Sequence, residues 1–225
     1  MKLLKSMISV GILAMLLTVS VVGTALATPF TVTAQLTGDP RATNPDGIIV
    51  DVTITGDTTS NFVTWLVDLN SPLHPNARLG QFAFNVLTPF GTSYAFSGFN
   101  PAGWSITGLA NNVPGSGSMN FNFLSSDPPG SGNNVTNVQS LTFTMTNTSP
   151  GSFFTSNSFF GASCSASSDA ALGCSQLGAH VQSLTAGASG FAVGDYTTVP
   201  EPGSMLLLGL GLFALGFMRK DRQTK

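Results

Sequence analysis

The sequence predicts an all-β protein, a β-sandwich of jelly-roll type, and three observations lead there. Between residues 28 and 198 the apolar side chains recur at every second position, the period of a strand with one buried face. Clusters of Pro, Gly, Asn and Asp interrupt that stretch at short intervals. No segment shows the sustained helical period of a long amphipathic helix.

Length and charge narrow the possibilities. At 225 residues, with roughly 100–200 residues expected per domain, the chain accommodates one folded domain plus targeting segments. Charged residues make up 8%, against about 25% in ordinary globular proteins. Six of the eight basic residues lie in the terminal segments, and residues 28–198 hold two Arg against eight Asp. Nucleic acid is excluded as a partner, because phosphate binding requires clustered Lys or Arg.

Residues 1–27 read as a signal peptide. Lys2 and Lys5 precede an apolar run from 7 to 22, and Ala25 and Ala27 supply the small residues of a signal peptidase site. Cleavage after Ala27 is expected, with Thr28 as the mature start. An uncleaved anchor is the alternative, but the run is short for a span.

Residues 28–198 form the predicted passenger. Ile48, Val50, Val52 and Ile54 alternate mainly with polar residues, as do Phe82, Phe84 and Val86 with Gln81, Ala83 and Asn85. Met119, Phe121 and Phe123 are interleaved with Asn120 and Asn122, and Leu141, Phe143 and Met145 with threonines. Each segment is expected to be a strand with one wet face. Turn clusters at 44–47, 100–103, 114–117 and 127–130 separate them, Pro fixing φ and Gly permitting positive φ. About eight to ten such strands must close on themselves or stack as two sheets.

Cys164 and Cys174, the only cysteines, flank a Ser- and Ala-rich loop in a chain that leaves the cytoplasm, so a disulfide is expected, with two buried thiols as the alternative. Catalytic material is sparse. His74 in a Pro-rich loop is expected to be exposed, and His180 to lie on the polar face of a strand. There is no Gly-x-Ser-x-Gly elbow and no glutamate in the passenger, so no enzyme is expected and no catalytic residue is assigned. No cofactor or metal is expected either. Asp39, Asn44 and Asp46 lack the spacing of an EF-hand and read as turn formers. Trp65, Trp104 and Tyr94 could stack on a sugar or pack in the core, and core packing is the expectation for the tryptophans. Asn134 and Asn147 begin N-glycosylation acceptor patterns that arise easily by chance in an Asn- and Thr-rich chain.

Residues 199–225 carry the most specific pattern. Val199, Pro200, Glu201 and Pro202 are followed by an apolar stretch over 203–218, read as a single hydrophobic helix crossing the membrane, and by Arg219, Lys220 and Arg222 as a basic stop. Sixteen residues of helix span about 24 Å, a marginal fit to a bilayer core of roughly 30 Å. Glu201 is the only glutamate in the chain, set between two prolines that hold their predecessors extended.

In Pro200-Glu201-Pro202, the Gly- and Leu-rich run and the basic end, the tail resembles the PEP-CTERM sorting signal of Gram-negative bacteria. The Leu-Pro-x-Thr-Gly signal of sortase substrates is absent. The resemblance implies processing at Pro200, Glu201 and Pro202 by exosortase, a membrane-embedded cysteine transpeptidase-type enzyme. It also implies association with exopolysaccharide, biofilm or floc, as a non-enzymatic cell-surface or extracellular-matrix protein. The partners implied are the Sec translocon and signal peptidase at the front and exosortase at the back, with transient residence in the inner membrane. A carbohydrate-binding module delivered by the same route, or a secreted hydrolase, are the rival expectations.

Overall fold

A computed structural model describes residues 27–38, 47–87, 93–111, 113, 117–126, 139–168, 173–184 and 188–198. Eight strands come first, β1 (Pro29–Gly38), β2 (Ile49–Asp57), β3 (Phe62–Leu69), β4 (Arg78–Phe84), β5 (Tyr94–Asn100), β6 (Ser105–Asn111), β7 (Phe121–Ser126) and β8 (Ser140–Asn147), of which β2, β4, β7 and β8 overlap the four alternating segments named above. A one-turn helix, α1 (Asn157–Phe160), precedes the short β9 (Ser165–Ala166) and β10 (Cys174–Ser175). The body finishes with β11 (Leu177–Gln182), β12 (Gly190–Gly194) and β13 (Thr197–Thr198).

The all-β expectation holds. The jelly-roll sandwich is not confirmed: one 11-stranded sheet runs β5-β8-β3-β2-β1-β12-β11-β4-β7-β6, with β13 also on β1, and β9 and β10 make a separate hairpin. Every pairing is antiparallel. The end strands β5 and β6 are joined through residues 101–104, so the sheet is nearly closed on itself. Period-two alternation is satisfied equally by a sandwich and by a rolled sheet, since it assigns faces and leaves partners undetermined.

Register places large side chains in line inside the roll. Val32, Ile54, Trp65 and Phe143 stand opposite one another on four adjacent strands, and Ala34, Val52, Val67 and Leu141 form the next row. All are buried. Trp65 is the hub, with ring centroids 4.4 Å from Phe84, 5.4 Å from Phe143, 5.7 Å from Phe159, 6.0 Å from Phe82 and 6.4 Å from Tyr196. Aromatic contacts of this kind add about 0.5–1.5 kcal/mol each beyond their burial. Phe159 on α1 also packs on Phe30 and Phe154, closing one end of the roll.

The expected wet face of β4 is a correction. Ala83 and Asn85 are as buried as Phe82 and Phe84. A second apolar cluster of Ala83, Val113, Met119, Phe121 and Phe191 covers the outside of the sheet here. Gly178 leaves room for it: a Cβ there would lie 2.9 Å from the Phe121 ring and 3.0 Å from Phe191.

Candidate sorting site

The tail begins where the sheet ends. Strand β12 leaves the edge of β1 after Gly194, and β13 returns to the same edge, Thr197 opposite Thr33 and Thr198 opposite Val32. Thr33 and Thr197 hydroxyls meet at 3.1 Å, and Thr197 Oγ1 donates to the Thr33 carbonyl at 3.0 Å. Because β13 is antiparallel to β1, it runs toward the start of β1 and ends at Thr198, level with Val32. Thr28 lies at that rim, its N–H donating to Thr58 Oγ1 at 3.1 Å, and Ala27 just before it is exposed. The predicted mature start and the end of β13 thus lie toward one end of the roll. Ala25, Pro200, Glu201, Pro202, Arg219, Lys220, Arg222 and the expected hydrophobic helix lie outside the described residues, and no described helix is long and apolar enough to cross a membrane.

A buried polar network fastens the segment just before β13. Tyr196 donates its hydroxyl to the Asn85 carbonyl at 2.7 Å, and its N–H to Gln176 Oε1 at 3.1 Å. Gln176 Nε2 reaches the carbonyls of Ala162 at 2.6 Å and Phe160 at 3.3 Å, while its N–H donates to Asp195 Oδ1 at 2.9 Å. Asn85 Nδ2 donates to Ser163 O at 2.7 Å and Ser165 Oγ at 2.9 Å, and its Oδ1 accepts from the Asn122 N–H at 2.7 Å. Burial pushes the Tyr196 hydroxyl well above its ordinary pKa of 10.0. Sequence reading missed these three residues. Asn85 sits at an alternating position indistinguishable from a solvent-facing one.

Cys164 and Cys174 are joined, their Cα atoms 5.5 Å apart, at the base of the β9–β10 hairpin. A cleft of about 140 Å³ beside them is lined by Asn85, Asn120, Asn122, Ser163 and Ser165, and Ser165 Oγ donates to the Asn120 carbonyl.

The two histidines lie on separate elements, His180 on β11 and His74 in the loop before β4. His180 is on β11, between Gln81 and Phe191 on the neighbouring strands; it is half-buried, and desolvation lowers its pKa from 6.5. His74 is a correction. It occupies a loop as expected but is buried, because residues 71–77 turn back on themselves, with His74 N–H on the Ser71 carbonyl and Ala77 N–H on the His74 carbonyl. A cleft of about 270 Å³ borders it, lined also by Asn70, Ser71 and Gln139, with no carboxylate among its lining residues. Ser71 Oγ exchanges hydrogen bonds with both backbone groups of Ile49, at 2.8 and 3.0 Å.

Trp65 and Trp104 are buried in the core, as expected. Tyr94 is half-buried against Phe123 and Phe154, which pushes its pKa up to about 12. Asn147 is wholly buried and its Oδ1 accepts from Ser149 N–H, so that acceptor pattern is closed to a glycan in the folded chain; Asn134 lies outside the described residues. So do Asp39, Asn44 and Asp46, and no group of metal-ligating side chains occurs among the described residues. On the outer wall Thr31, Thr55, Thr64 and Thr144 align across β1, β2, β3 and β8, an uncharged hydroxyl row.

Residues 198–220 match the PEP-CTERM protein-sorting motif. The motif marks an exported chain that is sorted through the membrane to the cell surface by exosortase. The match starts on Thr198, the final residue of β13, so the sorting signal follows directly on folded sheet. No curated protein and no solved structure matches the chain.

Proposed function

We propose that the rolled sheet is the non-enzymatic passenger of this sorting signal, a cell-surface or matrix component associated with exopolysaccharide or biofilm. In this reading the Sec translocon exports the chain, signal peptidase cuts after Ala27, and exosortase acts at Pro200, Glu201 and Pro202. The apolar stretch over 203–218 crosses the inner membrane until then, with Arg219, Lys220 and Arg222 on the cytoplasmic side.

The observation that supports it most is the sorting motif placed directly after the last strand. The outer hydroxyl row suits a hydrated polymer layer, since it offers hydrogen bonds without charge. Two features weigh against the rivals. Trp65 and Trp104 are packed inside, leaving no tryptophan platform for a sugar, and the Ser71 hydroxyl beside His74 is engaged with backbone.

The test compares cells with and without exosortase. Loss of the enzyme should leave the protein in the inner membrane with the mass of the chain starting at Thr28. Equal mass and equal surface location in both strains would sink the proposal.

A further inference from the structure

The junction fixes how far the roll can stand from a membrane. Thr198 is level with Val32, three residues up from Pro29 at the rim. Four residues lie between Thr198 and Gly203, where the apolar stretch begins, and the five Cα–Cα steps across them reach about 17 Å when fully extended. Clearing the rim uses about 8–10 Å of this, at the strand rise and the tilt of a rolled sheet. Less than about 10 Å then remains between the rim and the hydrocarbon edge, comparable to the headgroup layer of about 5–7 Å on each side of a bilayer.

The side chains at this rim match that position. Phe62, at the start of β3, is 51% exposed, and Phe153, beside the Ser60 carbonyl that receives the Phe154 N–H, is 46% exposed. Only two other large apolar side chains are comparably open among the described residues: Leu66 on the outer wall and Leu73 at the far end. Asp57 is the one charged residue among rim residues 28–31, 56–62 and 147–157, and its Oδ1 is taken up by Thr59 N–H and hydroxyl. A rim with two exposed phenylalanines and no basic side chain suits a zwitterionic headgroup layer, the one cation there being the Thr28 α-amino group that signal cleavage would leave.

We propose that this end of the roll is a membrane-contact surface, with Phe62 and Phe153 seated in the headgroup layer while the tail is inserted. The short junction presses the folded rim against the bilayer and presents Pro200-Glu201-Pro202 at the membrane surface, where a membrane-embedded processing enzyme works. The proposal rests on the reading of 203–218 as membrane-inserted.

The experiment uses residues 28–225, which retain every described strand, in vesicles of zwitterionic phosphatidylcholine. An environment-sensitive fluorophore is placed on Phe62→Cys, Phe153→Cys or, at the opposite end, Leu73→Cys. The expected result is a blue shift at 62 and 153 with severalfold stronger quenching by headgroup-depth nitroxide lipids than at 73. A flexible spacer of about ten residues inserted after Val199, adding ~17 Å of mean reach, should reduce that quenching to the level at 73. Protein that floats with the vesicles but shows equal, water-like signals at all three sites overturns the contact surface alone, and unchanged quenching with the spacer overturns the role of the short junction. Protein that does not float at all removes the inserted-tail reading and this proposal with it.

Discussion

The hydroxyl of Tyr196 donates to the carbonyl of Asn85 at 2.7 Å across 111 residues of sequence, tying the last turn before the sorting signal to the end of β4. Tyr196→Phe keeps the ring against Trp65 and Phe159 and removes only the donor. The buried carbonyl then loses its phenol partner, which should lower unfolding stability by about 1–3 kcal/mol. Urea denaturation of the two proteins measures it. No loss would show that water replaces the phenol.

Burial raises the pKa of both tyrosines of the chain, Tyr94 to about 12 and Tyr196 well above its ordinary value. Folded pKa values raised above the unfolded 10.0 mean that the unfolded chain loses protons first, so their contribution is complete below pH 10 and falls as pH rises above it. The denaturation midpoint should hold up to about pH 10 and then fall steeply, and Tyr196→Phe should flatten part of the decline. His180, lowered from 6.5 by burial, gives the opposite branch: its contribution is lost as pH falls below 6.5.

Trp65 is expected to be the costliest single core truncation. Trp65→Ala should lose about 3–5 kcal/mol. Trp65→Phe should cost much less, because the buried indole N–H has no hydrogen-bond partner to forfeit. Comparable losses for the two variants would mean that the N–H has a partner after all.

The Cys164–Cys174 bridge closes a short loop whose base is already held by Asn85 and Gln176. The Cys164→Ser/Cys174→Ser pair should lower stability by about 2.5–3 kcal/mol on the chain-entropy estimate, without changing the strand spectrum. Non-reducing peptide mapping should recover the two cysteines joined, and quantitative thiol labelling of the untreated protein would contradict the bridge.

Replacing Pro200, Glu201 and Pro202 with alanine separates an anchor from a sorting signal. An anchor needs only apolar length and basic flanks and should be indifferent to the change. A sorting signal should fail, so that precursor still carrying Arg219 to Lys225 accumulates in the inner membrane. Tags in the passenger and after Lys225 follow both fates, and a wild type with both tags on one surface chain would overturn processing.

Local chemistry is legible in the sequence where one face decides it. The inward residues of β2 and β8 follow from alternation, because consecutive side chains on a strand must point to opposite faces. The sorting motif is likewise readable, since it is a contiguous signal that needs no fold around it. Partner choice is not local. The pairing of β13 with β1 joins Thr33 to Thr197 across 164 residues, and nothing in either segment names the other. The same holds for the outer cluster that buries Ala83, for the packing that hides His74, and for the polar partners that make Asn85 an interior residue. Each depends on which distant surface arrives to cover a side chain. The single rolled sheet, and the placing of the predicted mature start and the end of β13 toward one end of it, were therefore decided only by tertiary structure.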